Sequence, residues 1–339
     1  MRGGVIMPLP VFIVGASIAG ASALFGAGKT IKAGIDSKDA KDTNELAESI
    51  INEATDLINE RRKVSGDILE NYGQRKVDVL NGNIAKYLST MQKIKNLKLG
   101  ESIGVDELKN EEYKKNISEL KLLQTTAASL AGGVASGAVT GALTAFGAYG
   151  LASTFGVATT GTAISSLSGV VATNATLAFL GGGALGTGLG IAGGTAILGG
   201  LVAGPALAVM GLVTGAVASK NKDKAYQNYA EAKKYREEMK LAATMCDSIS
   251  RRTRMFDRFL VSLNSSFEPL VYELNDLVEN KGCDYNSYND QEKELVAKSF
   301  SVAKAVKSII DKPILTEDGN LVDMKIGEIN DIREMVSAY

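Results

Sequence analysis

The chain has no histidine and no tryptophan, and only two cysteines and five prolines in 339 residues. Without histidine, the commonest general base and the commonest metal ligand are both missing. Cys246 and Cys283 stand alone with no CxxC spacing, so neither a zinc site nor a disulfide framework is indicated. The lack of tryptophan weakens the aromatic belt that marks a typical permanent membrane protein. So few prolines suit long uninterrupted helices. Lys and Arg (37) balance Asp and Glu (38) to a net charge of −1, which gives no electrostatic case for nucleic acid. The length predicts about two structural units.

The largest absence is local. From Leu122 to Ser219 there is no Asp, Glu, Lys or Arg: 98 consecutive uncharged residues in a chain that is 22% charged. The block holds 22 Gly and 22 Ala. One bilayer-spanning helix needs roughly 20 residues. A soluble helix keeps one face in water and has no use for so long a gap in charge. The block therefore predicts a protein that meets a lipid bilayer, at least conditionally.

Spacing inside the block carries more than its content. Ser129, Gly133, Gly137, Gly141 and Ala145 are four apart, as are Ala178, Gly182, Gly186, Gly190 and Gly194. Ala196, Gly200, Gly204 and Ala208 form a third run, and Gly211, Gly215 and Ser219 a fourth. Residues four apart share a helix face, and a glycine face lets two backbones approach closely in lipid. These glycines are the expected oligomer-packing positions, and a homo-oligomer is the expected assembly. Gly, Ala, Ser and Thr are near neutral for insertion, so each span is only weakly apolar, which suits a chain with two states. Lys114, Lys115 and Lys121 precede the block and Lys220, Lys222 and Lys224 follow it. The positive-inside tendency puts both ends on one side, which implies two or four crossings.

Residues 5–28 form a second apolar stretch about one bilayer long. Three readings fit it: a membrane-inserting helix, a secretory signal peptide ending near Ala21-Ser22-Ala23, or a helix buried in the block's own fold.

Both flanks of the block read as helix. Over residues 30–99 the apolar positions Ala47, Ile50, Ala54, Leu57, Val64, Ile68, Leu80, Ile84, Leu88 and Met91 follow a 3-4 spacing, with Arg61 in the stripe. Residues 106–123 predict a shorter helix. Residues 220–280 are the most regular: Tyr235, Met239, Ala242, Cys246, Ile249, Phe256, Leu260, Leu263, Phe267, Leu270, Leu274 and Leu277 form a heptad seam with Thr253 as its polar position. Pro269 predicts a kink. The simplest topology pairs the two long helices as an antiparallel stalk with the block at one end. Residues 281–288 read as a loop, 289–311 as a helix, 314–322 as a small hairpin, and a last helix follows.

Fold class is thus all-α: a long antiparallel coiled-coil or bundle stalk carrying a glycine-zipper block. The expected divisions are 1–29, 30–121, 122–219, 220–280 and 281–339.

Motifs that resemble chemistry are weak. Residues 23–30 end in Gly28-Lys29-Thr30, like a relaxed phosphate loop, but no strand precedes them and no metal-holding acid is evident. Gly188, Gly190 and Gly193 match a dinucleotide pattern by composition, with no acid until Asp223. Asp284 and Asn286 lack the central Gly and closing Glu of a calcium loop. No cofactor and no catalytic set is expected. Arg251, Arg252, Arg254 and Arg258 form a basic cluster, read as a solvated face or as a contact for anionic lipid or an acidic partner.

The order of long amphipathic helix, uncharged glycine-rich insertion and long amphipathic helix resembles the α-helical pore-forming toxins related to haemolysin E and the tripartite enterotoxins. It is also similar in layout to apolipoprotein L. The texture of residues 172–220, which runs from Ala172-Thr173-Asn174 through Val209-Met210-Gly211 to Lys220, resembles a family of bacterial glycine-rich membrane proteins. The toxin resemblance implies a helical stalk whose apolar head is hidden in a soluble form and inserts on assembly, with cell killing as the outcome. The other class of reading is a constitutive multi-span scaffold or channel subunit whose stalk binds a protein partner. The expected location is membrane-associated, with a soluble form before insertion under the first reading.

Overall fold

Helix α1 (Ser37–Val79) starts a continuous helical run that passes through a π-helical turn (Leu80–Ile84) into α2 (Ala85–Met91). The computed structural model describes residues 37–97, 110–134, 140–149, 222–316 and 321–338. The uncharged residues 150–219 and the apolar residues 5–28 lie outside that set. After α2 come α3 (Asn110–Val134), the short α4 (Thr140–Tyr149), the 60-residue α5 (Lys222–Lys281), α6 (Asp290–Asp311) and α7 (Ile326–Ser337). The fold is all-α. Among the described residues there are no strands, only two isolated bridges, Lys95 with Asp284 and Leu315 with Leu321. The second sits where the sequence predicts a hairpin.

The two long helices run parallel, which corrects the antiparallel expectation. Asn228 donates to Asn44, Thr55 meets Tyr235, Asn83 donates to Asn264, Thr90 donates to Asn275 and Asn96 donates to Asp284. The separation along the chain stays between 180 and 188 from the first of these pairs to the last. In an antiparallel pair it would fall by two for every residue advanced. The physical reason is the connection. A short loop forces neighbouring helices antiparallel, whereas some 130 residues between α2 and α5 leave room for the chain to return to its starting end. At 1.5 Å per residue α5 is about 90 Å long.

Packing divides this pair into two stretches. In the upper stretch, around residues 40–58 and 225–246, α1 and α5 pack on each other in thin layers. Ala47 and Ile50 meet Ala232, and Ala54 and Ile58 meet Tyr235, Met239, Ala243 and Cys246. Alanine recurs every seventh residue at Ala40, Ala47 and Ala54, and again at Ala225 and Ala232, all buried. Small side chains at one seam position let the helices lie close. In the lower stretch α3, α4 and α6 join them around one large core that includes Leu69, Tyr72, Tyr87, Phe146, Phe256, Phe267 and Phe300. Tyr87 stands edge-on to Phe267 at 5.4 Å, and Tyr113 lies 5.2 Å from Phe300.

The heptad seam of α5 is buried at Ile249, Phe256, Leu260, Leu263, Phe267, Leu270 and Leu274. It departs from expectation at two positions: Ala243 is buried in place of Ala242, and Val278 is buried with Leu277 at its margin. Thr253 is fully buried and donates its hydroxyl to the Ile249 carbonyl, so its polarity is satisfied within the helix. The helix continues through Pro269. On α1 the stripe drifts. Ser65 and Leu69 take the buried positions that the spacing assigned to Val64 and Ile68, and Val64 is exposed. An ideal helix advances 3.6 residues per turn, so a 3-4 stripe counted from one end loses register over several turns. Arg61 keeps its guanidinium partly exposed and pairs with Asp247 at 3.6 Å.

Helix α6 begins with a capping box, in which Asn289 accepts from the Glu292 amide while the Glu292 side chain accepts from the Asn289 amide. It ends at Asp311 because Lys312 precedes Pro313 and is extended. The chain then crosses the bundle at Ile314 and Leu315, both fully buried.

Candidate functional site

The first part of the uncharged block folds into the bundle. Helix α3 starts in charged sequence and crosses position 122 without interruption, burying Leu120, Leu123, Thr126, Ala127 and Leu130. Helix α4 contains no charged residue, and Leu143 through Tyr149 are all buried. A short apolar helix has no solvated face of its own, so the rest of the fold must supply both its packing and its hydrogen-bond partners.

Close packing comes from two glycines. Gly73 of α1 and Gly147 of α4 face each other across the contact. A Cβ built on Gly73 would lie 2.0 Å from the Leu143 carbonyl oxygen, and one on Gly147 would lie 2.0 Å from that of Leu69. Both are far inside van der Waals contact, so only glycine fits at either place. The pairings of residue 73 with 143 and of 69 with 147 also show that α4 runs antiparallel to α1.

Polar partners come from Lys76 and the 314–315 crossing. The last carbonyls of a helix have no partner inside it. Lys76 Nζ donates to Phe146 O at 3.0 Å and lies 3.3 Å from Gly147 O. The amides of Ile314 and Leu315 donate to Ala148 O at 2.7 and 3.2 Å. The end of α4 is thus capped from outside. A cation at this end also opposes the negative pole of the helix dipole. The amine lies 4.4 Å from the Tyr72 ring centroid and 5.4 Å from that of Phe146. Tyr72 in turn donates its hydroxyl to Ile309 O at 3.3 Å.

Lys76 has no solvent exposure. Burial lowers its amine from the ordinary lysine range to about 7, while the Asp311 carboxylate works in the opposite direction. Burial likewise pushes the Tyr72 hydroxyl up, with Asp257 adding to it. A buried lysine this close to neutrality is uncommon outside functional sites.

Of the glycines expected to pack in the membrane, Gly133 and Gly141 fall within α3 and α4. Gly137, Gly182, Gly186, Gly190, Gly194, Gly200, Gly204, Gly211 and Gly215 lie outside the described residues. Among the described residues, the close glycine contact of Gly73 with Gly147 belongs to none of those runs. The arginine cluster divides. Arg252 is partly buried and donates to Val322 O at 3.1 Å, whereas Arg251, Arg254 and Arg258 are exposed on α5. Cys246 sits in the seam at 3% exposure, and burial raises its thiol. Sequence reasoning missed Lys76, although its signal was legible. Continuing the buried positions Ile58, Ser65, Leu69 and Tyr72 by four residues reaches Lys76, and four more reach Leu80.

Among the described residues no group of His, Cys, Asp and Glu side chains could hold a metal ion, and no helix is long and apolar enough to cross a membrane. A groove beside the π-helical turn, lined by Arg75, Asp78, Asn83, Asn264 and Ser265 among others, is polar. Its side chains pair with one another or their neighbours: Arg75 with Asp257, Gln74 with Asp78, and Asn83 with Asn264. Comparison with protein-family models, with curated proteins and with solved structures returned no match.

Proposed function

We propose that this chain is a conditional membrane-disrupting protein, a pore-former that keeps its uncharged block against a helical body until it meets lipid. The observation that carries this reading is the burial of α4, together with the Leu123, Thr126, Ala127 and Leu130 face of α3, in a bundle of charged helices. A constitutive span would face lipid, whereas a stored one needs a polar body to cover it. Chain direction adds support. The first residues of α1 and of α5, which follow the two most apolar parts of the sequence, lie at the same end of a parallel pair. In this reading α1 and α5 form a coiled-coil stalk. The four-residue glycine runs then pack inserted helices of neighbouring copies. Arg251, Arg254 and Arg258 offer an attraction to anionic headgroups.

The test is direct. The full chain is expressed, the cells are broken without detergent, and soluble protein is separated from carbonate-resistant membrane. The expected result is a soluble pool that releases dye from anionic liposomes, with release lost in Gly186→Leu and Gly190→Leu while soluble yield is kept. Wholly carbonate-resistant protein, or full dye release by both variants, overturns the proposal.

A further inference from the structure

We propose that Lys76 is a charge-controlled clamp on α4, so that docking of this uncharged helix tightens when the amine loses its proton and loosens when it gains one. The proposal stands on the described contacts alone and holds whether or not the chain ever enters a membrane.

Complete burial favours a neutral amine and outweighs the attraction of the α4 carbonyls and the two rings for a cation. The amine's two polar neighbours within reach are the Phe146 and Gly147 carbonyl oxygens, at 3.0 and 3.3 Å. A neutral amine carries two N–H groups and an ammonium carries three. The third N–H of the charged form faces the Tyr72 and Phe146 rings, which attract a cation but solvate it less well than water. No water reaches the site through Lys76 itself, which has no exposed surface. Undocking α4 removes both carbonyls and one ring together and returns the amine to solvent. Protonation and docking are therefore coupled.

The charged and titratable groups around the clamp are few. Tyr72 is on α1, and its hydroxyl is held by Ile309 O and pushed further above its ordinary range. Arg75, also on α1, is engaged by Asp257 of α5. From α6, Asp311 acts on Lys76 and is itself 3.8 Å from Lys307. Helix α4 contributes Tyr149 and no charge.

The direction follows from linkage. The docked amine loses its proton near 7 and an exposed one near 10.5, so the undocked state binds more protons between those values. Docking strengthens as pH rises through that window and is flat well below it. The expected gain approaches about tenfold per pH unit between the two values and vanishes well below the lower one.

Hydrogen exchange of the α4 amides in the full chain, corrected for intrinsic rates, reads this equilibrium. Protection in residues 140–149 is expected to follow that profile in the natural chain and to be independent of pH in Lys76→Met. Equal slopes in the two proteins overturn the proposal. Because Lys76→Met could fail to fold, a second measurement uses the natural chain alone. With 13C-labelled lysine, one lysine signal is expected to titrate near neutrality, and titration of every lysine above pH 9 overturns the proposal.

Discussion

Gly73 and Gly147 touch backbone to backbone: each stands where a single added methyl group would lie 2.0 Å from the carbonyl oxygen of the opposite helix. This contact sets how closely α4 lies on α1, and hence whether Lys76 reaches the end of α4 at all. Gly147→Ala is expected to cost about 3 kcal/mol by overpacking and to lower the protection of α4. Gly82→Ala is the matched control, because nothing lies within 4 Å of its added Cβ. There helix propensity favours alanine by up to about 1 kcal/mol. Urea unfolding of both variants checks the contrast, and equal destabilisation would refute the close contact.

Parallel pairing of α1 and α5 makes a cross-linking prediction. Ala47 and Ala232 belong to one buried cluster in the upper stretch. Cysteines at both positions, in a background of Cys246→Ala and Cys283→Ser, are expected to form a disulfide on mild oxidation. The pair Ala47→Cys with Leu277→Cys, which an antiparallel stalk would favour, is expected not to link. Gel mobility with and without reductant distinguishes the two.

The seam of α5 predicts a steep difference between apolar residues on its two faces. Phe267 has no exposed surface and packs on Tyr87, whereas Leu241 is 68% exposed. Phe267→Ala is expected to cost about 3–5 kcal/mol and Leu241→Ala within about 0.5 kcal/mol. Thermal unfolding of the two variants is the check.

The start of α6 gives an acid-side prediction. Hydrogen bonds from Lys281 and from the Asn289 amide hold the Glu292 carboxyl below its ordinary range. A carboxylate whose folded value is depressed contributes stability above its unfolded value, and this is lost as pH falls through the folded one. Lys281→Met is expected to lessen the fall in melting temperature on acidification below about pH 4.3. Separately, Asn289→Ala is expected to cost about 1 kcal/mol at neutral pH through the lost cap.

How much was legible depended on the range of the interaction. Periodicity located the buried face of α5 from Ile249 to Leu274, because burial along one straight helix repeats with the helix itself. It also placed the start of α6 and the pairing of Leu315 with Leu321, which depend on contacts within a few residues. It slipped by one on α1 from Leu57 on, where Ile58, Ser65 and Leu69 are the buried residues, and regained the stripe at Leu80, Ile84, Leu88 and Met91. It passed over Lys76, because the buried stripe of α1 reaches that position only in the register of Ile58, Ser65, Leu69 and Tyr72.

By itself the sequence determined that the chain is helical, that its long helices carry apolar seams, and that 98 residues lack any charge. Those are properties of composition and spacing, available before any two elements meet. The tertiary structure alone decided that α1 and α5 run parallel, because an apolar stripe has no direction and pairs equally well either way. It alone decided that Gly73 meets Gly147 and that Lys76 caps α4. Carbonyls at a helix end accept whatever donor the fold brings to them, and here it comes from 70 residues away.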